Sequence, residues 1–256
     1  MRKPFIAGNW KMNKTPAEAR EMVENLKELV TDVEGVDMAV CPPAVDLDAV
    51  QEVLADSEIS LGAQNMHWES SGAFTGEISA AMLQELGVEY VILGHSERRE
   101  IFKETDQEVN RKVQKALKEN LKPIICVGET LEERENGKTR EKVSFQVKAA
   151  LAGVDSSPLT DVTIAYEPLW AIGTGESASA GDAAETIAAI REVIAEIAPG
   201  KEEEIRVQYG GSVKPHNIAE FMAEDQIDGA LVGGASLEAE SFAGVIKKCQ
   251  KEEQNH

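Results

Sequence analysis

The chain is poor in aromatic residues, in histidine and in positive charge, and its cysteines form no pattern. Phe, Trp and Tyr make up 5% of 256 residues, so a core of this size must be built from aliphatic side chains and alanine. The three cysteines, Cys41, Cys126 and Cys249, are far apart and lack metal-ligand spacing. That argues against a disulfide framework or a cysteine zinc site and points to a reduced, cytoplasmic protein. No apolar run approaches the roughly eighteen residues of a membrane helix, and Met1-Arg2-Lys3-Pro4 enters a short strand-like run rather than a signal peptide. Lys and Arg total 26 against 46 Asp and Glu, a formal net charge of -20. Such a surface repels phosphate backbones and anionic lipid, so neither nucleic acid nor membrane is an expected partner. It is either an ordinary solvated surface or a salt-adapted one, in which screening relieves self-repulsion. Any anionic ligand must be held by local groups against that global field.

What is present is a period. Short apolar runs alternate with amphipathic or Ala-rich stretches along the whole chain, at Phe5-Trp10, Asp37-Cys41, Ile59-Gln64, Tyr90-Leu93, Pro123-Val127, Val162-Tyr166, Ile205-Tyr209 and Gly229-Val232. Near-continuous Val/Ile/Ala/Leu runs suit strands buried on both faces of a parallel sheet. Capping boxes, Thr15-Pro16-Ala17-Glu18 and Thr105-Asp106-Gln107-Glu108, open two of the helical stretches. Eight strand-then-helix units predict an α/β fold, a closed (β/α)8 barrel in one domain spanning residues 1–256, with a frayed tail after about residue 247. An open doubly wound sheet competes, but Gly8-Asn9-Trp10-Lys11 after the first strand is not a dinucleotide fingerprint.

In such a barrel the chemistry gathers at the strands' C-terminal ends. Those ends supply Asn9 and Lys11, then His95, then Glu167, then Gly210-Gly211-Ser212 and Gly233-Gly234. Pro168 confines Glu167 to extended backbone, so the strand stops with a carboxylate at its end. The following segment, Pro168, Leu169, Trp170, Ala171, Ile172, Gly173, Thr174, Gly175, Glu176, Ser177 and Ala178, exposes large apolar residues between flexible points and reads as a lid. An ordinary loop after a solvated Glu is the alternative. A carboxylate base, an imidazole and a fixed ammonium together suit proton transfer between adjacent carbons of a carbonyl compound. The paired Gly turns suit a phosphate held by backbone N–H groups. No cluster suggests a metal, and no thiol is placed as a nucleophile.

Taken in order, Gly8-Asn9-Trp10-Lys11-Met12-Asn13, Gly72-Ala73-Phe74-Thr75-Gly76-Glu77, Gly94-His95-Ser96-Glu97-Arg98-Arg99, Ala165-Tyr166-Glu167-Pro168, Trp170-Ala171-Ile172-Gly173-Thr174-Gly175, Tyr209-Gly210-Gly211-Ser212-Val213 and Leu231-Val232-Gly233-Gly234-Ala235 closely resemble the triosephosphate isomerase family. The resemblance runs from Phe5 to about Lys247. It implies cofactor-free interconversion of dihydroxyacetone phosphate and glyceraldehyde 3-phosphate. It also implies Glu167 as base, His95 as neutral electrophile, Lys11 as electrostatic partner with Asn9 beside it, and Glu97 linked to Lys11. Gly173, Ser212, Gly233 and Gly234 would hold the phosphate, and Tyr209 and Ser212 would steady the closed lid. The loop Gly72, Ala73, Phe74, Thr75, Gly76 and Glu77 would dock beside a neighbouring subunit's site, implying a homodimer. Cys126 matches a buried position near Glu97. The far end of the lid, Glu176-Ser177-Ala178, departs from the Lys-Thr-Ala or Lys-Val-Ala common in the family, and Leu169 replaces a common Val. Another phosphate-binding barrel enzyme would share the late Gly turns but not Lys11, His95 and Glu167 together. A silent scaffold would have lost one of the three.

Overall fold

The computed structural model describes residues 2–155, 157–171 and 178–250. Eight parallel strands close on themselves in sequence order, with β1 paired to both β2 and β8. They are β1 (Phe5–Asn9), β2 (Asp37–Cys41), β3 (Ile59–Ala63), β4 (Tyr90–Leu93), β5 (Lys122–Val127), β6 (Thr163–Tyr166), β7 (Arg206–Tyr209) and β8 (Gly229–Val232). The helices among the described residues are α1 (Pro16–Val30), α2 (Leu47–Leu54), α3 (Ala80–Glu85), α4 (Ser96–Glu100), α5 (Asp106–Lys118), α6 (Leu131–Glu135), α7 (Thr139–Leu151), α8 (Ala180–Ile197), α9 (Ile218–Met222) and α10 (Ala239–Lys247). The expected barrel is therefore the observed one. Two units carry an extra short helix, α4 after β4 and α6 after β5.

Both expected capping boxes form. Glu18 Oε2 accepts the Thr15 N–H at 2.8 Å, and Glu108 Oε2 accepts that of Thr105 at 2.7 Å. A third, Thr130 with Glu133, opens α6. Each satisfies N–H groups that a helix start otherwise leaves open.

Alternation along the strands divides the core. Phe5, Ala7, Ala39, Cys41, Tyr90, Ile92, Ile124, Cys126, Ala165 and Leu231 fill the barrel interior. Their strand neighbours, such as Ile6, Val40, Val91, Ile125, Ile164, Val207 and Val232, pack outward in a second cluster with the buried faces of the helices. This two-sided burial explains the apolar runs in the sequence. Continued to Asn9 at the end of β1 and past the ends of the other strands, the interior parity falls on Gln64, Gly128, Glu167, Gly210 and Gly233. The site is the open top of the interior stack.

Several strands differ from expectation by one residue. Trp10 and Gln64 lie beyond β1 and β3, because there the chain leaves the sheet toward the site. Lys122 joins β5, since its register partner Tyr90 begins β4. Val162 and Ile205 precede β6 and β7 as buried residues outside the ladder.

Candidate active site

Glu167 follows β6 with its backbone N–H on Val127 O at 2.7 Å, and its side chain is 2% exposed. Its Oε2 accepts the Ser96 N–H at 3.0 Å, and its Oε1 lies 3.0 Å from His95 Nε2. Gly210, at the end of β7, makes room for it: a Cβ there would stand 2.8 Å from Glu167 Cγ. Burial works to raise this carboxyl's pKa, but contact with His95 and the Ser96 N–H outweighs it and holds the group below its ordinary value.

His95 is buried at the start of α4, and its Nδ1 accepts the Glu97 N–H at 3.2 Å. Burial lowers the ring's proton affinity and the Glu167 carboxylate raises it, with a net upward direction in this arrangement. A second proton would nevertheless have to sit on Nδ1, whose lone pair is already engaged at the positive end of a helix. The Nδ1 bond opposes that second proton, although Glu97 Oε2 at 3.6 Å favours it, and in the neutral ring it assigns the proton to Nε2, facing Glu167.

Lys11 stands in left-handed backbone, φ 54°, which a side-chain-bearing residue adopts only when its surroundings impose it. Asn9 Oδ1 accepts the Lys11 N–H at 3.1 Å. Gln64 Nε2 donates to both Lys11 O at 2.8 Å and Cys41 O at 2.9 Å. The ammonium so aimed reaches Glu97 Oε1 at 2.6 Å. Sequence reasoning placed Gln64 only at a strand end. Its parity with Asn9 and Glu167 was the available signal.

The near end of the expected lid is anchored. Leu169–Ala171 forms a short helical turn closed by Ala171 N–H on Pro168 O at 2.9 Å. Trp170 is half-buried rather than exposed as expected. Glu129 Oε1 accepts its indole N–H at 3.1 Å and the Tyr166 hydroxyl at 3.0 Å, while Arg134 lies 4.6 Å over its ring. A buried carboxylate and a guanidinium satisfy the indole's polar edge and π face, which leaves no reason to project it into water. Ile172, Gly173, Thr174, Gly175, Glu176 and Ser177 lie outside the described residues. At the far end Ala178 is buried, and its backbone N–H opposes the burial that pushes the Tyr209 phenol up to about 12.

A cavity of about 590 Å³ lies over these groups, lined by Asn9, Lys11, His95 and Glu167 on one side and Gly210, Gly211, Ser212, Gly233 and Gly234 on the other. The N–H groups of Ser212, Gly233 and Gly234 meet no acceptor among the described residues. These three residues line the cavity beside the short turn Gly234–Ser236, a suitable cradle for an anion. Cys126 is buried, as expected, and its thiol lies beside Glu167. Burial, reinforced by that carboxylate, pushes its thiol well up. A second cleft of about 370 Å³ shares Lys11, His95 and Glu97 and is edged by Met12, Gly76 and Phe102. The whole loop 72–77 is exposed beside it.

A buried carboxylate against an imidazole, a nearby ammonium and a glycine-lined cavity support proton transfer on a small anionic substrate, the chemistry of an acid–base enzyme built on a (β/α)8 barrel. The profile of the family described as triosephosphate isomerase matches residues 4–249. The triosephosphate isomerase of Caldanaerobacter subterraneus subsp. tengcongensis is 59% identical over 247 residues, which cover 96% of this chain and 99% of that protein. Those of Carboxydothermus hydrogenoformans and Alkaliphilus oremlandii are 58% and 56% identical, with the same coverage. The chain belongs to the triosephosphate isomerase family.

Proposed function

We propose that this chain interconverts dihydroxyacetone phosphate and glyceraldehyde 3-phosphate by proton transfer through an enediolate. The observation that carries the reading is the buried Glu167 carboxylate against His95 Nε2, at the mouth of an N–H-lined cavity. Glu167 takes the carbon-bound proton. His95 donates from Nε2 to the oxygen on which charge develops, and Lys11 stabilises that charge, with Asn9 holding its backbone and Glu97 its ammonium. Ser212, Gly233 and Gly234 hold the phosphate, joined by Gly173 of the lid, and Tyr209 and Ser212 steady the lid when closed. The lid keeps water from the enediolate. A coupled assay for glyceraldehyde 3-phosphate tests the reading: the protein turns over dihydroxyacetone phosphate, and Glu167→Gln loses that activity. An inactive wild type, or an active Glu167→Gln, refutes it.

The working unit we infer is a cytoplasmic homodimer. Met12, Val45, Phe74, Met82, Ile101 and Phe102 are exposed large apolar residues, and two of them, Met12 and Phe102, border the second cleft. Loop 72–77 of one copy entering that cleft on another would cover them. Light scattering on the purified protein decides between one copy and two. The three buried free thiols favour a reducing compartment.

A further inference from the structure

We propose that Gln146 is a positioning residue for Glu167, acting through a single peptide group of the intervening strand end. Gln146 sits on the inner face of α7 among Val143, Val147 and Ala150, and is 3% exposed. A primary amide on a buried apolar face is costly unless its hydrogen bonds are made. Gln146 Oε1 accepts the Gly128 N–H at 2.8 Å, with both groups buried. The carbonyl of that same peptide group, Val127 O, accepts the Glu167 N–H at 2.7 Å. One amide plane is therefore held on its N–H side by α7 and on its C=O side by the residue that carries the base. An acceptor on the N–H side polarises the carbonyl and strengthens the bond on the other side.

The spacing leaves no slack. A Cβ on Gly128 would collide with the Glu167 carbonyl, so the two strand ends pass at backbone contact. Leu169 N–H to Glu129 O at 3.1 Å continues the register, making residues 127–129 the platform under 167–169. Loss of the Gln146 acceptor would leave the Gly128 N–H buried without a partner. The relief is a rotation of the 127–128 peptide, which moves the Glu167 N–H and with it the carboxylate. A shift of this kind costs rate more than substrate affinity, because three of the four groups proposed to hold the substrate phosphate, Ser212, Gly233 and Gly234, follow β7 and β8.

The proposal rests on Glu167 being the base, so Glu167→Asp is run alongside. Gln146→Met removes the acceptor at similar volume; Gln146→Glu keeps an acceptor at the same reach. The expected result is a kcat about tenfold lower in Gln146→Met with KM within about twofold, and a kcat in Gln146→Glu within about threefold of wild type. A Gln146→Met that melts lower yet keeps wild-type kcat overturns the proposal, as does an equal loss of kcat in both variants. If Gln146→Met fails to fold, Gln146→Ser, which cannot reach Gly128, takes its place with the same two outcomes. Full turnover in Glu167→Asp would overturn the base assignment itself, whatever the Gln146 variants do.

Discussion

Lys11→Met separates the charge of Lys11 from its structural part. The ammonium pairs with Glu97 at 2.6 Å, but the two side chains are 28% and 43% exposed. A pair this open contributes about 0–1 kcal/mol to stability, so the unfolding midpoint should move little. The strained backbone is held by Asn9 and Gln64 through main-chain atoms that Met retains. Catalysis should respond very differently. An ammonium about 4 Å from a developing oxyanion or a phosphate, at an effective dielectric near 20, contributes about 4 kcal/mol. That corresponds to roughly a thousandfold in kcat/KM. The protein's net charge of -20 makes the loss harder to offset, since what remains around the anion is a repelling field. The coupled isomerase assay and a thermal melt on the same preparation decide it. A variant that keeps kcat/KM within about tenfold of wild type refutes the electrostatic role. One that loses activity together with several kcal/mol of stability shows that Lys11 acts through the fold instead.

Because contact with His95 and Ser96 lowers the Glu167 pKa on folding, its ionised form adds stability above about pH 4.3, and that stability is lost as pH falls through the lowered value. The midpoints of wild type and Glu167→Gln should therefore converge as pH falls from about 4.3 through the lowered value; a difference that stays constant as the protein is acidified refutes the shift. Burial pushes Cys41 and Cys249 up to about 12 and Cys126 well above its ordinary value, so iodoacetamide at pH 8 should label none in the native protein and all three after denaturation. Native labelling of Cys126 would show that the thiol is neither buried nor neutral. If self-repulsion of the acidic surface matters, the unfolding temperature rises from about 0.1 M to about 1 M salt, where the Debye length shrinks from about 10 Å to about 3 Å; a flat or falling curve counts against salt adaptation.

The architecture was readable because strands buried on both faces leave apolar runs, and because helix starts carry chemical marks such as Thr105 with Glu108. Glu167, His95 and Lys11 were readable because they are polar residues where such runs end. What the sequence concealed are long-range satisfactions. Trp170 looked like an exposed lid residue because nothing nearby announces Glu129, 41 positions earlier, as its acceptor. Gln146 reads as one more polar residue on a helix until its partner proves to be a backbone N–H, which carries no side-chain signal. Gln64 lay between these cases: its parity aimed it at the barrel mouth, but its two acceptors are main-chain carbonyls.

The geometry of Glu167 also limits how the reaction can start. Held by the Ser96 N–H and facing His95 Nε2, the carboxylate is stabilised as an anion and is a weak base. Removing a carbon-bound proton requires the opposite, a carboxylate stripped of donors in a dry surrounding. As the proposed base, Glu167 must therefore leave both contacts when substrate binds. His95 needs the same event, since its Nε2 proton faces Glu167 and can serve the substrate oxygen only once the carboxylate has moved. One displacement thus raises the basicity of Glu167, frees the donor of His95 and removes the nearer of the two carboxylates that favour a charged ring. The pivot for it is the strand end, where Glu167 N–H is fixed to Val127 O while Gly210 leaves the side chain room to swing. A rigid backbone beneath a displaceable carboxylate is what this site requires, and the buried amides around Val127 and Gly128 supply the rigidity.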